Sequence, residues 1–592
     1  MQARLLRQVV LLLGLLASTC ATAGADPVAS LHALFASEWE RNLRENPLEA
    51  TYLGDHRYDD QLPDLGLAAI RARQAGARAA LAALLAIDRA ALPADDRLDY
   101  DTFRWQLEAK IERQKFREHL IPLNHQNGIQ NLHELTELLT FATVADYERW
   151  IARLGQFGRY TDQTLALMRE GVAARVMPPR VIMQRLPAQI AAQQVDKPED
   201  SPYYAVFRSM PAGIPGAEQE RLRAAARAVT ADTVLPAYAR LGEYFNRSYL
   251  PATPTAIAAS ALPDGEAWYA FLARYYTTTD LDPAAIHAIG LREVARIRTE
   301  MEAVKAEVGF EGTLAAFFAH LRSDPKFFHD SPEALLAAYQ ALSKRIDPEL
   351  VKVFRTLPRL PYGVRPIPAS SAPDTTTAYY QPGAADGTRP GWYYVNTYRP
   401  EVRPIWEMVP LSLHEAVPGH HFQFALALEL PRRPLFRRTA YFVAYSEGWG
   451  LYAESLGYEM GLYADAYDRM GQLAYDMWRA VRLVVDTGMH AKGWSRQRAI
   501  EYFKDNAPKT EQDIVNEIDR YIGTPGQALA YKIGQLRILE LRERARTALG
   551  ARFDLRDFND AVLATGSVPL EALERHIDAW IAARLAAPAG GR

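Results

Sequence analysis

The chain has 592 residues, of which 49% are hydrophobic and 23% charged, a composition typical of globular proteins. It has 68 lysine and arginine residues and 71 acidic residues, so the formal net charge is -3. Because there is no basic excess to neutralise phosphates, we exclude a nucleic-acid partner.

Residues 1–25 are predicted to be an export signal. Arg4 and Arg7 give a positive start, residues 9–17 form an apolar run, and small residues with A-x-A cleavage sites follow. The apolar run is too short to span a bilayer comfortably, and no second stretch is long enough to do so. We therefore expect an exported protein, periplasmic or secreted, without a stable membrane span. The alternative is a buried N-terminal helix.

Cys20 is the only cysteine and lies within this signal region. Cleavage after Ala23 or Ala25 would leave a mature chain that cannot form a disulfide bond. Residues 16–20 also loosely resemble a lipobox, although Thr19 fits that pattern poorly. A lipid anchor at Cys20 is the alternative to simple cleavage.

The remaining chain is predicted to be mainly α-helical. Apolar residues recur at helical spacing through an N-terminal region, 26–255, with strong helix formers in 65–87 and 217–229. A second region, 256–592, carries the chemistry. Near its start Asp282 and Pro283 predict the beginning of a helix that runs to Val308. We expect the two regions to form one compact unit.

A change in amino-acid composition at 357–399 predicts a small β element. Residues 376–380 and 392–398 are rich in Thr, Tyr and Trp, and a Pro- and Gly-rich loop, 382–390, joins them. These strands come directly before the motif described next. Their edge could pair with an extended peptide substrate, or the hairpin could be purely structural.

Three histidines and a glutamate are concentrated in residues 414–421, although the chain has only 13 histidines. Zinc favours imidazole and carboxylate ligands, and a glutamate beside the first ligand can take a proton from water. The spacing departs from H-E-x-x-H, because Pro418 stands where the second histidine should be. In a regular helix neither His420 nor His421 would reach His414, since two turns rise about 10.5 Å.

Pro418 and Gly419 offer a way around this obstacle. A proline ring clashes with the carbonyl group four residues earlier, here that of His414, and glycine tolerates unusual dihedral angles. A break there could bring His420 or His421 back toward His414, and the residues do not decide between them. The alternative is a helix with three packing histidines.

Glu447 and Glu454 supply carboxylates on one face of a second predicted helix. Gly448 and Gly450 weaken this helix by about 1 kcal/mol each, a cost that close approach of another backbone would explain. A carboxylate pair on an apolar helix is expensive to bury without a cation or donors. We predict Glu447 as a metal ligand and Glu454 as its supporting group, against the alternative of two solvated carboxylates.

Four ordered motifs resemble the bacterial domain-of-unknown-function family 885, and they lie at 414–421, 447–454, 486–494 and 525–534. That family is usually grouped with zinc metallopeptidases of the carboxypeptidase Taq and angiotensin-converting-enzyme type. The resemblance implies a large helical metallopeptidase-like fold with an internal cleft and a hydrolytic Zn²⁺ site. It also implies the ligand set His414, His420 and Glu447, with His421 held in reserve.

Further side chains are expected to complete this site. Arg482, Asp486 and His490 form one polar stripe, in which His490 could stabilise an oxyanion and Asp486 could orient it. Tyr531 could donate to the same oxyanion. The adjacent Lys532, or Arg537, could pair with a substrate carboxylate. The alternatives are a solvated ion-pair stripe, core packing for Tyr531 and exposed cations.

The predicted function is zinc-dependent hydrolysis of peptide bonds in short peptides, of oligopeptidase or carboxypeptidase type. Glu415 is the expected general base, with His490 and Tyr531 as further catalytic groups. Two alternatives stay open. One is a zinc-dependent hydrolase of a non-peptide amide, and the other is a non-enzymatic periplasmic protein that binds peptides or metal.

Overall fold

A computed structural model describes most of the chain after the predicted signal region. The predicted signal peptide, 1–25, and the possible lipid anchor at Cys20 lie outside the described residues. The structure describes residues 26–369, 372–374, 376–384, 387, 389–430 and 433–587.

Helices dominate the N-terminal region, as the apolar periodicity predicts. The predicted segments 65–87 and 217–229 correspond to α3 and α10, which begin and end within two residues of the predicted bounds. The helices of this region are α1 (Pro27–Glu45), α2 (Pro47–Leu53), α3 (Leu67–Leu85), α4 (Ala94–Arg113), α5 (Val144–Gly155), α6 (Phe157–Ala174), α7 (Arg180–Met183), α8 (Leu186–Ala191), α9 (Ala205–Arg208), α10 (Gly216–Val229), α11 (Leu235–Tyr244) and α12 (Leu250–Ala252).

Helices also build most of the second region. They are α13 (Gly265–Thr277), α14 (Pro283–Glu307), α15 (Leu314–Ser323), α16 (Pro332–Ile346), α17 (Met408–Glu415), α18 (His420–Glu429), α19 (Leu435–Arg438), α20 (Val443–Met460), α21 (Ala466–Ala491), α22 (Arg496–Asn506), α23 (Glu511–Gly523), α24 (Ala530–Leu549), α25 (Leu555–Leu563) and α26 (Leu570–Ala586). The predicted start of α14 is confirmed, because the Asp282 carboxylate accepts a hydrogen bond from the Ala285 backbone N–H at 2.7 Å.

The β element is a three-stranded sheet rather than a simple hairpin. Strands β2 (Ala378–Gln381) and β3 (Gly391–Val395) pair antiparallel where the sequence predicts them. Strand β1 (Tyr362–Pro366) was not predicted and pairs parallel to β3, so β3 lies in the centre. The outer edges of the sheet therefore belong to β1 and β2, which excludes β3 from pairing with a substrate strand.

The long helices of the second region pack closely against one another. Helix α14 packs along α21, and α20 packs along α24. One buried apolar cluster contains residues of both predicted regions, from Leu62 to Ile581. Over the part of the chain that the structure describes, no helix is both long enough and apolar enough to cross a membrane.

Candidate metal centre

The helix that carries the first motif breaks where Pro418 and Gly419 predict. Helix α17 ends at Glu415 and α18 begins at His420, with a cis peptide bond between Val417 and Pro418. Gly419 lies against the backbone carbonyl of His414, where a Cβ atom would collide with the carbonyl oxygen. The break allows two residues six positions apart to face one another.

Three buried side chains converge across this break. The Nε2 atoms of His414 and His420 lie 3.5 Å and 3.4 Å from the same carboxylate oxygen of Glu447. The two imidazole rings are nearly perpendicular, with centroids 4.7 Å apart. One ligand atom from each residue falls within 4.8 Å of the other two. We call His414, His420 and Glu447 the His–Glu cluster.

Glu454 orients the first histidine. The Nδ1–H of His414 donates to the Glu454 carboxylate at 2.8 Å, which directs Nε2 toward the cluster. Burial alone would lower the pKa of His414, but hydrogen bonds to Glu447 and Glu454 raise it to about 9. Burial also opposes ionisation of Glu447, yet the charge of His420 and hydrogen bonds from both imidazoles hold its pKa well below the usual range.

The glycines of α20 make room for these contacts, as the sequence predicts. A Cβ atom on Gly450 would lie 2.8 Å from the His414 ring, so only glycine leaves space for the imidazole. A Cβ atom on Gly448 would lie 2.5 Å from the backbone of Gly534, where α20 and α24 cross. The propensity cost of the two glycines is therefore offset by close packing of a ring and of a neighbouring helix.

His421 points away from the cluster. Its Nε2–H donates to the backbone carbonyl of Leu360 at 3.1 Å, and its Nδ1 accepts from the Tyr380 hydroxyl at 2.9 Å. Burial lowers the pKa of His421 to about 4, so the ring is neutral at pH 7. The sequence does not decide whether His420 or His421 is the second ligand. In the structure His420 lies in the cluster, whereas His421 is hydrogen-bonded to Tyr380 of the sheet.

Glu415 stands beside the cluster at the last position of α17 and is half-buried. Its negative charge acts on the His414 imidazole, whose pKa it helps to raise. Partial exposure distinguishes this carboxylate from the buried Glu447 and Glu454. The predicted base is therefore adjacent to the predicted ligands and retains access to solvent.

Tyr441 and Tyr531 both lie near Glu447. The Tyr441 hydroxyl donates to the second Glu447 oxygen at 2.8 Å. The sequence did not predict this contact, because Tyr441 lies before α20 in a loop without a recognisable motif. Burial raises the pKa of Tyr531, and the nearby charge of Glu447 raises it further. The predicted Tyr531 therefore lies near enough to the cluster to feel the charge of Glu447.

His490 is not brought to the cluster. Its Nδ1 accepts from the Ala259 N–H at 3.0 Å and its Nε2–H donates to the Tyr521 carbonyl at 3.1 Å. Asp486 does not orient it, because that carboxylate accepts from the Tyr269 hydroxyl at 2.6 Å and from the Gly526 N–H. Both nitrogens of His490 are occupied by backbone groups, so we correct its role from oxyanion donor to structural residue.

Lys532 and Arg537, predicted to bind substrate, are paired within the protein instead. The Lys532 ammonium is buried and contacts Asp476 at 2.6 Å and Glu293 at 3.0 Å. The Arg537 guanidinium pairs with Glu574 of α26 at 3.2 Å. Neither cation is free to receive a substrate carboxylate, and the expectation is corrected on this ground.

Replacing Lys532 with Met is expected to lower the free energy of unfolding by about 3 kcal/mol, because it leaves Asp476 and Glu293 with less compensating charge in a buried site. Denaturant unfolding measures this loss, and the partly exposed Arg537→Met is the control, with a change of at most about 0.5 kcal/mol. Unchanged stability together with weaker binding of short peptides would return Lys532 to the substrate site.

Replacing Glu454 with Gln is expected to weaken the binding of added zinc by roughly 10- to 100-fold, because the carboxylate that orients His414 is lost while His414, His420 and Glu447 stay. Competition against a chromogenic chelator measures the affinity. Glu459→Gln, on the outer part of the same helix, is the matched control and should bind zinc like the parent chain. Equal affinities in all three proteins would contradict the role given to Glu454.

The His–Glu cluster fits a zinc ion in donor type and, at both histidine–glutamate contacts, in spacing. Two ligands of a tetrahedral zinc with bonds of about 2.0–2.1 Å lie roughly 3.3 Å apart, close to the separations of 3.5 Å and 3.4 Å between each imidazole Nε2 and the Glu447 oxygen. Two imidazole nitrogens and one carboxylate oxygen would hold the ion with three protein ligands, the number found in hydrolytic zinc sites. Glu454 supplies the carboxylate–histidine contact typical of such sites.

The fold and the cluster together define a mainly helical protein with a buried group of two histidines and one glutamate that could hold a metal ion. The chain belongs to the family described as bacterial protein of unknown function (DUF885), whose profile matches residues 47–577. This confirms the family that the four motifs indicate. No protein of curated function matches the chain.

Solved structures share the fold, among them the two that follow. One is from Colwellia psychrerythraea and is provisionally described as a lipoprotein; it is 28% identical, covers 93% of this chain and 99% of its own, and has a TM-score of 0.88. The other, from Shewanella oneidensis, is provisionally described as a lipoprotein of unknown function. It is 17% identical, covers 92% of this chain and 98% of its own, with a TM-score of 0.70, and shows the fold alone.

Proposed function

We propose that this protein is a zinc-dependent peptidase that hydrolyses short peptides. One observation carries the proposal: His414, His420 and Glu447 converge at ligand spacing, with Glu415 adjacent to the first ligand. A site that only stores a metal has no need of a general base beside it. This arrangement also underlies the proposed kinship with the carboxypeptidase Taq and angiotensin-converting-enzyme types.

The side chains divide the reaction between them. Zinc bound by the cluster would supply a Lewis acid that lowers the pKa of water toward about 7. The Glu415 carboxylate accepts a proton from the attacking water and passes it to the leaving amine. Tyr531 donates a hydrogen bond to the carbonyl oxygen as negative charge develops on it, while Tyr441 holds Glu447 through its second oxygen.

Short substrates are favoured because the centre is enclosed. His414, His420 and Glu447 are buried, and helices surround them on several sides. The edge strand β2 carries Tyr380, which contacts His421, the neighbour of His420. An extended peptide lying along β2 would therefore pass close to the cluster.

We also propose export. The N-terminal pattern of residues 1–25 predicts a signal peptide, and the structural relative from Colwellia psychrerythraea is provisionally described as a lipoprotein. This description favours lipid attachment at Cys20 over simple cleavage. The protein would then act at the outer side of the cytoplasmic membrane or in the periplasm.

Elemental analysis and a peptide panel test the peptidase. The purified protein is expected to contain about one zinc per chain and to hydrolyse short peptides, and a chelator should abolish the activity until zinc is restored. Non-peptide amides in the same panel separate the peptidase from an amide hydrolase. Bound zinc without hydrolysis of any substrate would instead favour a metal- or peptide-binding protein.

A further inference from the structure

A second group of charged side chains lies beside Tyr531, between α21 and α23. Arg482 donates through Nε to the Tyr521 hydroxyl at 2.7 Å and through Nη2 to Glu517 at 2.9 Å. Arg520 donates to the same Glu517 oxygen at 3.0 Å. We call Arg482, Arg520 and Glu517 the arginine cluster, and none of its members belongs to the mechanism above.

The arginine cluster carries one more positive than negative charge. Burial opposes ionisation of Glu517, but the charges of Arg520 and Arg482 hold its pKa far below the usual range, so it stays anionic. The charge of Arg520 also acts on the carboxyl group of Asp486, whose pKa is raised to about 7 by burial. The Asp486 oxygens accept hydrogen bonds from the Tyr269 hydroxyl and the Gly526 N–H. Two guanidinium groups thus share one permanent carboxylate, and buried charge is normally compensated.

One donor of this group is unused. Arg482 is only 4% exposed, and among the described residues its Nη1 has no hydrogen-bond partner. An unsatisfied N–H on a buried guanidinium is costly unless a ligand completes it. Glu517 and Arg520 keep side-chain exposures of 15% and 19%, so the cluster is not sealed from outside.

The arginine cluster is also close to the His–Glu cluster. The Arg482 guanidinium carbon lies 4.3 Å from the centre of the Tyr531 ring, stacked on its face. The charge of Glu447 in turn acts on Tyr531, and Tyr531 acts on Tyr441, the hydrogen-bond partner of Glu447. The guanidinium and the predicted metal ligand therefore both lie near Tyr531.

We propose that Arg482 and Arg520 bind the free α-carboxylate at the C-terminus of the substrate, so that the protein removes residues from peptide C-termini or cleaves dipeptides. This inference rests on the proposed peptidase function. The substrate carboxylate would compensate the excess positive charge and accept from the unused Nη1–H, in the charge-assisted geometry that guanidinium groups favour. It assigns to Arg482 and Arg520 the role that the sequence predicts for Lys532 and Arg537.

Binding of two matched probes tests this site without relying on turnover. The full chain carrying Glu415→Gln is titrated with N-acetyl-alanyl-alanine and with its C-terminal amide, and binding is followed by NMR. The acid is expected to bind at least about tenfold more tightly than the amide, the usual effect of a hydrogen bond to a charged group. Equal binding of the two probes would overturn the proposal.

Variants locate the effect. Arg482→Met and Arg520→Gln are each expected to remove the preference for the acid, whereas Arg544→Met, a partly exposed arginine of α24 outside the cluster, should keep it. A preference that persists in both cluster variants would also overturn the proposal. If Arg482→Met does not fold, Arg520→Gln and the probe ratio in the parent protein still decide.

Hydrolysis separates this inference from the function on which it rests. With the wild-type protein, peptides with a free C-terminus should be cleaved at least about tenfold faster than their amides. Cleavage of both forms at equal rates would refute the carboxylate site and leave the peptidase standing. Preferential binding of the acid probe with no cleavage of either peptide would refute the peptidase and leave the carboxylate site standing.

Discussion

Replacing Glu415 with Gln is expected to lower kcat by a factor of about 100 to 10,000 while zinc stays bound. The amide cannot accept the proton of the attacking water, but His414, His420 and Glu447 are untouched, and the half-buried position tolerates an isosteric side chain. Steady-state kinetics on a short peptide and elemental analysis of the same preparation measure the two quantities together.

Glu429→Gln is a suitable control for this experiment. Glu429 is the last residue of α18 and pairs with Arg359 at 3.2 Å, so its loss should leave both kcat and zinc content near those of the parent. Full activity of the Glu415→Gln protein would remove Glu415 from the mechanism without affecting the zinc site. Loss of zinc from that variant would instead show that Glu415 acts as a ligand.

Exchanging each of the two adjacent histidines for Ala should have opposite consequences. His420→Ala is expected to lose most of its zinc and all measurable turnover, because one of three protein ligands is gone. His421→Ala is expected to keep its zinc but to lose about 1–3 kcal/mol of stability, because the Leu360 carbonyl and the Tyr380 hydroxyl lose their partner. Metal content per folded chain and denaturant unfolding provide the measurements.

Zinc content of these two variants shows whether His420 or His421 is the second ligand. Zinc loss in His421→Ala with zinc retained in His420→Ala would mean that the ligand assignment must be exchanged. Zinc retained in both variants would remove the cluster from consideration as the metal site. The experiment needs no knowledge of the substrate, so it stands independently of the proposed peptidase function.

Pairing of buried charges explains why Lys532 does not line the site, although the sequence predicts that it does. Lys532 follows Tyr531 directly, yet successive residues of a helix point in different directions. Lys532 therefore faces Asp476 and Glu293, while Tyr531 faces Glu447 and Arg482. A cation for a substrate carboxylate is thus expected from α21 and α23 rather than from α24.

The helical part of the fold follows directly from local patterns. Asp282 and Pro283 mark the start of α14, and the Ala-rich segment around α3 folds as its propensity predicts. Strand β1 escapes prediction because its partner β3 begins 25 residues after β1 ends. Parallel pairing across such a distance depends on tertiary packing, and local periodicity does not report it.

The amino-acid sequence alone determined the donor types, the break at Pro418 and Gly419, and the need for close packing at Gly448 and Gly450. These properties are local, since they depend on ring geometry, missing Cβ atoms and the chemistry of single side chains. Only the tertiary structure decided which histidine faces His414. That choice depends on the backbone angles between α17 and α18 and on where α20 presents Glu447, and both are set by packing between segments far apart in the chain.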